Sequence, residues 1–356
     1  MKSVSKTKLQ ETDCASKRRL DLAKSIMPKK KIDFVSKLGG NIDKYITRSK
    51  LPGVVAETTD KWISYRAYLR LIDDISRREG IPDLSFQVNN LRVEEAVLPA
   101  INKQLISAPT LSKSIERVSV IGRYQLIGLR IEQRIAYAHA AIAVRLPAPA
   151  STPGFTVSET GSILILLDLL RVFIDDRFLP TKIRLASRSQ DIHYDVDTAF
   201  GGVPVVTDAP VAEILFPARY LAHVTPLLAR AEGVSQQAPD WHANLPTSLS
   251  DDISHLLFGY LQQGLPTLRE MSEILGISPR TLQRLLALDG TNYFRILDEL
   301  RCTCALQYLS KRDLGLEDIA YLVGYAEKAP FYRAFKRWTG MTPGQFQKLH
   351  SIQETE

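Results

Sequence analysis

A helix–glycine–helix pattern occurs twice in the C-terminal third of this chain. The second copy, at 316–339, reads LEDIAYLVGYAEKAPFYRAFKRWT. Apolar residues recur three and four positions apart on both sides of Gly324, so the pattern predicts two amphipathic helices joined by a tight turn. Arg333, Lys336 and Arg337 make the outer face of the second helix basic. This arrangement is typical of a helix-turn-helix DNA reader.

The first copy, at 268–289, has clear signals for where its helices begin. Thr267 followed by Glu270 is a capping box, which predicts a helix start at Thr267. A glycine again separates the two helices. Ser278 followed by Pro279 predicts the start of the second helix, because a hydroxyl caps it and proline suits the first helical position. Two such units in tandem are a more specific signal than either unit alone.

The segment between the two copies, 293–309, predicts one continuous helix. The apolar residues along it are Phe294, Leu297, Leu300, Cys304 and Leu306. A helix of this length measures ~25 Å, which suits two reading helices placed about one turn of DNA, ~34 Å, apart. The spacing therefore predicts that the two units read successive major grooves on one face of a duplex.

These residues resemble the DNA-binding domain of the AraC/XylS transcription regulators over about 249–350. The resemblance is carried by GISPRTLQR at 276–284, DIA at 318–320, GY at 324–325 and FYRAFKRWTGMTP at 331–343. It implies a cytoplasmic bacterial regulator, often an activator working beside RNA polymerase, with double-stranded promoter DNA as its partner. Members of the family carry a separate effector-binding or dimerising domain, so a small-molecule effector and a homodimer are also implied.

The chain departs from the family pattern at a few positions. Ala326 stands where the family commonly has a Ser or Thr cap, and alanine caps a helix about 1 kcal/mol less well. Pro330 falls in the first turn of that helix, where its missing N–H is tolerated. Ser272 replaces a small apolar residue. These departures bear on base preference and local stability rather than on the fold.

The exposed positions of the two second helices are the candidate DNA contacts. The base-edge candidates are Arg280, Thr281, Gln283 and Arg284 in the first unit and Glu327, Lys328, Ala329 and Tyr332 in the second. The phosphate candidates are Arg333, Lys336 and Arg337. Glutamine can pair with adenine and arginine with guanine, whereas phosphate contacts carry no sequence information. The alternative is an ordinary solvated helix face, and the duplication of the motif favours DNA.

The part of the chain before 232 predicts a separate α+β domain with helices first and a small sheet later. Helices are predicted within 32–105, where Trp62, Tyr65, Leu69, Ile72 and Ile75 keep helical spacing, at 111–124 and at 163–178. Strands are predicted at 128–137, 139–146, 183–186, 203–206 and 214–216. The stretch 179–217 resembles the arabinose-binding-type N-terminal domain of one AraC branch, over about 40–228. The fold class is therefore multidomain, with an N-terminal α+β regulatory domain and a C-terminal all-α domain holding two helix-turn-helix units joined by a long helix.

The expected domain plan follows from these patterns. It has a basic, flexible tail at 1–31, an effector-sensing or dimerisation domain at 32–231, a linker at 232–249, the DNA-binding domain at 250–350 and a short tail at 351–356. Ser250, followed by two aspartates, is expected to cap the first helix of the DNA-binding domain.

The net charge of +7 does not come from the DNA-binding region. Residues 1–50 hold 14 Lys/Arg against 5 Asp/Glu, a balance of +9, while residues 248–356 hold 12 against 13, a balance of −1. The basic head is expected to be a solvated tail, with a supplementary phosphate-binding arm as the alternative.

The sequence carries no motif for catalysis or for a cofactor. It lacks a glycine-rich phosphate loop, HExxH, a nucleophile elbow and CxxC, so we expect no enzyme activity. Cys14, Cys302 and Cys304 predict neither a disulfide framework nor a metal pair. The longest apolar run, 163–170, is too short to span a bilayer.

An effector site is not assigned by the sequence. Polar candidates are Arg134, Tyr137, His139, His193 and Tyr194, and each is more often structural than ligand-binding. Two alternatives therefore stay open, an enzyme with an appended DNA-binding domain and a regulator whose front domain only dimerises.

Overall fold

The computed structural model describes residues 19–90, 108–224, 245–261, 263–311 and 314–353. The N-terminal region is α+β and the C-terminal region is all-helical, as the sequence predicts. Among the described residues, no helix is both long enough and apolar enough to cross a membrane.

The chain begins with a small two-stranded sheet and a helical layer. Strands β1 (Leu22–Lys24) and β2 (Trp62–Ser64) pair antiparallel. Four helices follow in this layer: α1 Ile26–Lys37, α2 Ile42–Ser49, α3 Tyr65–Arg78 and α4 Leu84–Asn90. Ser64 caps α3 by accepting a hydrogen bond from the Ala67 N–H. The predicted helical residues on α3 are all buried, namely Tyr65, Leu69, Ile72 and Ile75. Trp62 was predicted to share that helix, but it lies in β2 because the capping serine begins the helix after it.

The prediction of a flexible tail at 1–31 is wrong for residues 19–31. Residues 19–31 contain β1 and the first half of α1, and Leu22 is fully buried. Lys31 lies on α1 and is half-buried, and this burial lowers its pKa to about 8. The remainder of the predicted tail, 1–18, lies outside the described residues.

A five-stranded sheet forms the second layer of the front region. Its strands are β3 Arg130–Ala136, β4 His139–Arg145, β5 Lys182–Arg184, β6 Val205–Val206 and β7 Ala212–Pro217. They lie in the order β3-β4-β7-β5-β6, with only the β5–β6 pair parallel. Helices α5 Leu111–Gln125 and α6 Phe155–Phe173 contribute to the core of the sheet layer, and a short helix α7 spans Val196–Ala199. The five predicted strand positions and the helix at 111–124 are confirmed.

Helix α6 begins eight residues before the predicted start at 163 and ends five before the predicted end at 178. Its first turns contain polar residues that are nevertheless buried, and their partners come from distant parts of the chain. The Glu159 carboxylate accepts hydrogen bonds from the Ser187 N–H at 2.9 Å and the Ser187 hydroxyl at 2.6 Å. Because these partners are remote in sequence, the apolar pattern alone did not locate the start of this helix.

The C-terminal region contains the two predicted helix-turn-helix units. Its helices are α8 Leu249–Tyr260, α9 Leu268–Leu275, α10 Pro279–Leu288, α11 Tyr293–Lys311, α12 Leu316–Leu322, α13 Lys328–Thr339 and α14 Pro343–Gln353. The continuous helix between the units is confirmed as α11. Phe294 does not join its apolar side, since 71 % of its surface is exposed while Tyr293 and Ile296 are buried.

Two predicted helix caps are wrong by one or two residues. The N-cap of α8 is Ser248 rather than Ser250, because Ser248 forms a complete capping box with Asp251. The N-cap of α13 is Glu327 rather than Ala326, and its side chain makes no capping hydrogen bond.

Three apolar clusters of the described residues hold these elements together, and one of them spans the predicted boundary between the front region and the DNA-binding domain. The sheet layer has its own core, as does the second helix-turn-helix unit. The first unit instead shares one core with the N-terminal helical layer, since Leu275, Leu282 and Leu286 belong to the same cluster as Leu69 and Ile72. Much of the predicted linker, 232–244, lies outside the described residues.

Candidate nucleic-acid interface

The first helix-turn-helix unit is built from α9 and α10, with a cap at each start. The Thr267 hydroxyl accepts from the Glu270 N–H, and the Glu270 carboxylate accepts in return from the Thr267 N–H at 2.7 Å. Gly276 follows α9 with a left-handed backbone conformation, at φ +67°, which residues other than glycine rarely adopt. Ser278 caps α10 by accepting from the Thr281 N–H at 3.1 Å. These local interactions fix where α9 begins and ends and where α10 begins.

The polar face of α10 is open to solvent. Leu282 and Leu286 are fully buried, whereas Arg280, Gln283 and Arg284 are exposed. Thr281, the fourth predicted base contact, is half-buried and lies 2.8 Å from the capping Ser278 hydroxyl, oxygen to oxygen. Three of the four predicted side chains therefore project from one accessible face.

The second unit is built from α12 and α13. Gly324 turns the chain at φ +81°, and Phe331, Ala334 and Phe335 bury one face of α13. The predicted contacts Arg333 and Lys336 lie on the exposed face, as do Glu327, Lys328, Ala329 and Arg337, while Tyr332 is half-buried. Arg333 and Lys336 form no ion pair with any residue in the described ranges, so both cations are available to a phosphate.

Two of the predicted contacts are already paired with carboxylates. The Arg337 guanidinium donates to Asp298 on α11 at 2.7 Å, and the Lys328 ammonium donates to Glu317 on α12 at 3.0 Å. The hydrogen bond to Glu317 raises the pKa of Lys328. Both pairs are exposed, so a phosphate can displace the carboxylate at small cost.

The first unit and the helix before it, α8, contact the front region through hydrogen bonds that the sequence did not predict. The backbone carbonyl of Ile274 on α9 accepts hydrogen bonds from the Ser64 hydroxyl and the Arg70 guanidinium, both at 3.0 Å. The Tyr260 hydroxyl donates to the Lys50 carbonyl at 2.6 Å. We call these contacts, together with the Arg19–Asp252 pair described next, the domain joint.

The Arg19–Asp252 pair is a further contact of the domain joint and links the start of the described chain to α8. Nε and a terminal nitrogen of Arg19 lie 2.9 and 2.8 Å from the two Asp252 oxygens, and the Leu20 N–H also donates to that carboxylate at 2.9 Å. Asp252 is fully buried, and burial raises its pKa, while the bond to Arg19 opposes the rise. No local motif marks the domain joint, because its partners lie about 200 residues apart in sequence.

A neighbouring carboxyl gives a pH-dependent prediction. Burial raises the pKa of Asp21 from 3.8 to about 6, with Arg66 opposing the rise and Asp252 adding to it. A raised folded-state pKa means that the group stabilises the fold below pH 3.8 and loses that contribution as the pH rises through about 6. We expect Asp21→Asn to raise the free energy of unfolding by about 1–3 kcal/mol at neutral pH and to leave it equal to that of wild type below pH 3.8. Denaturant titrations at neutral pH and below pH 3.8 measure the two free energies. A stabilisation that persists below pH 3.8 would contradict burial of the Asp21 carboxylate as its cause.

The polar residues considered for an effector do not converge on one place. Arg134 pairs with Glu213 and Glu132, and Tyr137 is fully exposed at the β3–β4 turn. Tyr194 lies elsewhere, against Phe86, with its hydroxyl 3.3 Å from the hydroxyl of Thr160. The described ranges contain no cluster of His, Cys, Asp and Glu suited to a metal ion. The effector-binding residues therefore stay unassigned.

Two helix-turn-helix units with solvent-facing second helices, joined by one long helix, define a tandem DNA-binding protein of the helix-turn-helix class. Residues 39–224 match the family described as "Arabinose-binding domain of AraC transcription regulator, N-term", and residues 271–349 match the family described as "Helix-turn-helix domain". The match at 39–224 alone covers more than half of the chain. The chain belongs to the AraC family of transcription regulators.

Individual relatives match a smaller part of the chain. It is 40 % identical over 83 residues to the ornithine utilization regulator of Pseudomonas aeruginosa, covering 23 % of this chain and 24 % of the relative. It is 33 % identical over 105 residues to the regulator VirS of Mycobacterium tuberculosis, covering 30 % and 31 %. The matches thus span a quarter to a third of these relatives. The crystal structure of the transcriptional regulator CdpR from P. aeruginosa aligns over 86 % of this chain and 96 % of its own, with 19 % identity and a TM-score of 0.35.

Proposed function

We propose that this protein recognises a specific promoter sequence by placing α10 and α13 in successive major grooves of one duplex. The observation that carries the proposal is the pair of exposed polar faces on the second helices of two helix-turn-helix units. Helix α11 has 19 residues and so measures ~28 Å, which suits reading helices about one turn of DNA apart.

The front region is proposed to bind a small-molecule effector that controls DNA binding. The match to an arabinose-binding-type domain supports this role but does not specify a sugar. The domain joint can couple effector binding to DNA binding, because the first unit shares an apolar core with the front region. The second unit has a core of its own. The protein then acts in the cytoplasm as a homodimer, and as an activator it contacts RNA polymerase beside its site.

Gln283→Ala and Lys336→Ala separate base recognition from phosphate contact. Gln283 lies on the exposed face of α10, so its loss is expected to weaken binding to the preferred duplex by ~1–3 kcal/mol and to leave random duplexes unaffected. Lys336→Ala is expected to weaken binding to the preferred and random duplexes alike. It should also lower the slope of log K against log salt concentration by about 1, the value for one lost phosphate contact. Fluorescence anisotropy titrations at several salt concentrations measure both effects.

Arg295→Ala is the matched control for these variants. Arg295 is an exposed arginine on α11, paired with Glu299 and outside both reading helices. Its loss should leave both affinities within twofold of wild type. Equal losses on specific and random duplexes for Gln283→Ala would overturn its assignment as a base contact.

A further inference from the structure

Strand β3 is an edge of the five-stranded sheet, and its length leaves it open to pairing with another strand. It has seven residues and no proline, whereas the opposite edge, β6, has only two residues. Short strands, proline and charged side chains are common means by which proteins prevent edge pairing, and β3 carries charges of both signs, so it opposes a partner strand that does not match them. Within the part of the chain that the structure describes, no backbone group pairs with the outer side of β3.

The hydrogen-bond pattern shows which residues of β3 face outward. The Ala138 carbonyl accepts from the Ala218 N–H at 2.8 Å, one step beyond the His139–Pro217 pair of β4 and β7. The backbone N–H and C=O groups of successive residues in a strand point to opposite sides. The backbone groups of even-numbered β4 residues therefore form hydrogen bonds with β7, and those of odd-numbered β4 residues form hydrogen bonds with β3. Through the β3–β4 register, the even-numbered residues of β3 bond to β4. The N–H and C=O groups of Ile131, Gln133 and Ile135 consequently point to the open edge.

We propose that β3 pairs antiparallel with β3 of a second copy of this chain, about a two-fold axis through Gln133. In this register Gln133 faces its own copy, and Ile131 faces Ile135. These are the residues whose backbone groups point outward, so the pairing forms roughly six new backbone hydrogen bonds. The two five-stranded sheets then become one continuous sheet across the dimer.

The charges on β3 select this register over its neighbours. Glu132 lies opposite Arg134 of the second copy, and the reciprocal pair forms on the other side of the axis. A shift of two residues in either direction places Glu132 opposite its own copy or Arg134 opposite its own copy. Opposite charges directly across a sheet stabilise the pairing and like charges oppose it, so the strand is complementary to itself in one register.

The apolar side chains of β3 fit the same arrangement. Ile135 has 60 % of its surface exposed, while Ile131 is half-buried against the sheet core. Pairing places each Ile135 beside an Ile131 of the second copy and removes exposed apolar surface from water. The dimer thus covers both unsatisfied backbone groups and an exposed isoleucine.

Gln133→Pro is the sharpest test in the full-length protein. The Gln133 N–H points outward, so proline removes a donor of the proposed interface without removing a bond to β4. Sedimentation equilibrium is expected to show a wild-type dimer and at least a 30-fold weaker dimer for Gln133→Pro. Tyr137→Ser is the matched control, because Tyr137 lies at the exposed turn outside the paired residues, and it should dimerise like wild type.

Glu132→Arg keeps the test decisive if the proline variant does not fold. It sets an arginine opposite Arg134 of the second copy, so dimerisation should weaken about tenfold, and added salt should reduce the loss. A monomeric wild-type protein at about 100 µM, or variants that dimerise like wild type, would overturn the proposed interface. The proposed pairing rests on the homodimer named in the proposed function. DNA binding by either variant is a separate readout, because a monomer that still recognises its duplex would overturn this interface and leave the proposed base recognition by α10 and α13 intact.

Discussion

Phe335→Ala is expected to unfold the second helix-turn-helix unit while the rest of the protein stays folded. Phe335 is fully buried and packs against Phe331 and Phe346, with both pairs of ring centroids 5.8 Å apart. Truncating a buried phenylalanine costs about 3–5 kcal/mol, which is a large loss for the small core of this unit. The first unit belongs to a different core and so should keep its stability.

Hydrogen exchange with mass spectrometry measures this local effect. Peptides from 316–346 should lose protection, while peptides from 268–288 keep it, and affinity for the specific duplex should fall at least 100-fold as one groove contact is lost. Tyr321→Ala is the control in the same unit, because Tyr321 is 68 % exposed on α12 and its loss should change stability by less than about 0.5 kcal/mol. A uniform loss of protection along the whole chain would show instead that the two units unfold as one.

Arg70→Met is expected to weaken the domain joint. The Arg70 guanidinium donates to the Ile274 carbonyl at 3.0 Å and to the Ser49 carbonyl at 3.3 Å, and methionine preserves most of the apolar stem. Loss of a charged donor to partly buried carbonyls should lower the free energy of unfolding by about 2–3 kcal/mol. Protection in α9 should fall together with protection in α3, because Ile274 and Arg70 belong to these helices.

Arg77→Met is the matched control on the same helix. Arg77 is 70 % exposed, and its carboxylate partner among the described residues is Asp73 one turn earlier, so its loss should cost less than about 0.5 kcal/mol. If the two variants were equally stable, the contact between Arg70 and Ile274 would not hold the first unit in place. If Arg70→Met lost stability but kept protection in α9, the effect would lie within the front region alone.

The helix-turn-helix units were predictable because their signals are local. Capping residues lie within three positions of the helix starts they fix, as Thr267 and Ser278 show, and the turn glycines stand between two apolar patterns. The burial of Leu282 and Phe335 and the exposure of Gln283 and Lys336 follow from the same helical period. The exposed faces of α10 and α13 could thus be located from sequence.

Features that depend on distant partners could not be predicted. The domain joint links Ile274 to side chains of the front region, and no spacing in the sequence marks such a pair. The start of α6 was missed because Glu159 is buried with a remote serine, and residues 19–31 were assigned to a tail because their lysines suggested solvent. The carboxylate partner of Arg337 on α11 is remote in the same way.

Selection of bound duplexes from a random DNA pool by the full-length protein shows whether both helix-turn-helix units read bases. Two reading helices in successive major grooves predict two short blocks of preferred bases, with centres about 10 base pairs apart. Inserting about 5 base pairs between the blocks should abolish high-affinity binding, because the second block then faces the opposite side of the duplex. A single preferred block, or enrichment without sequence preference, would contradict the assignment of both units as readers.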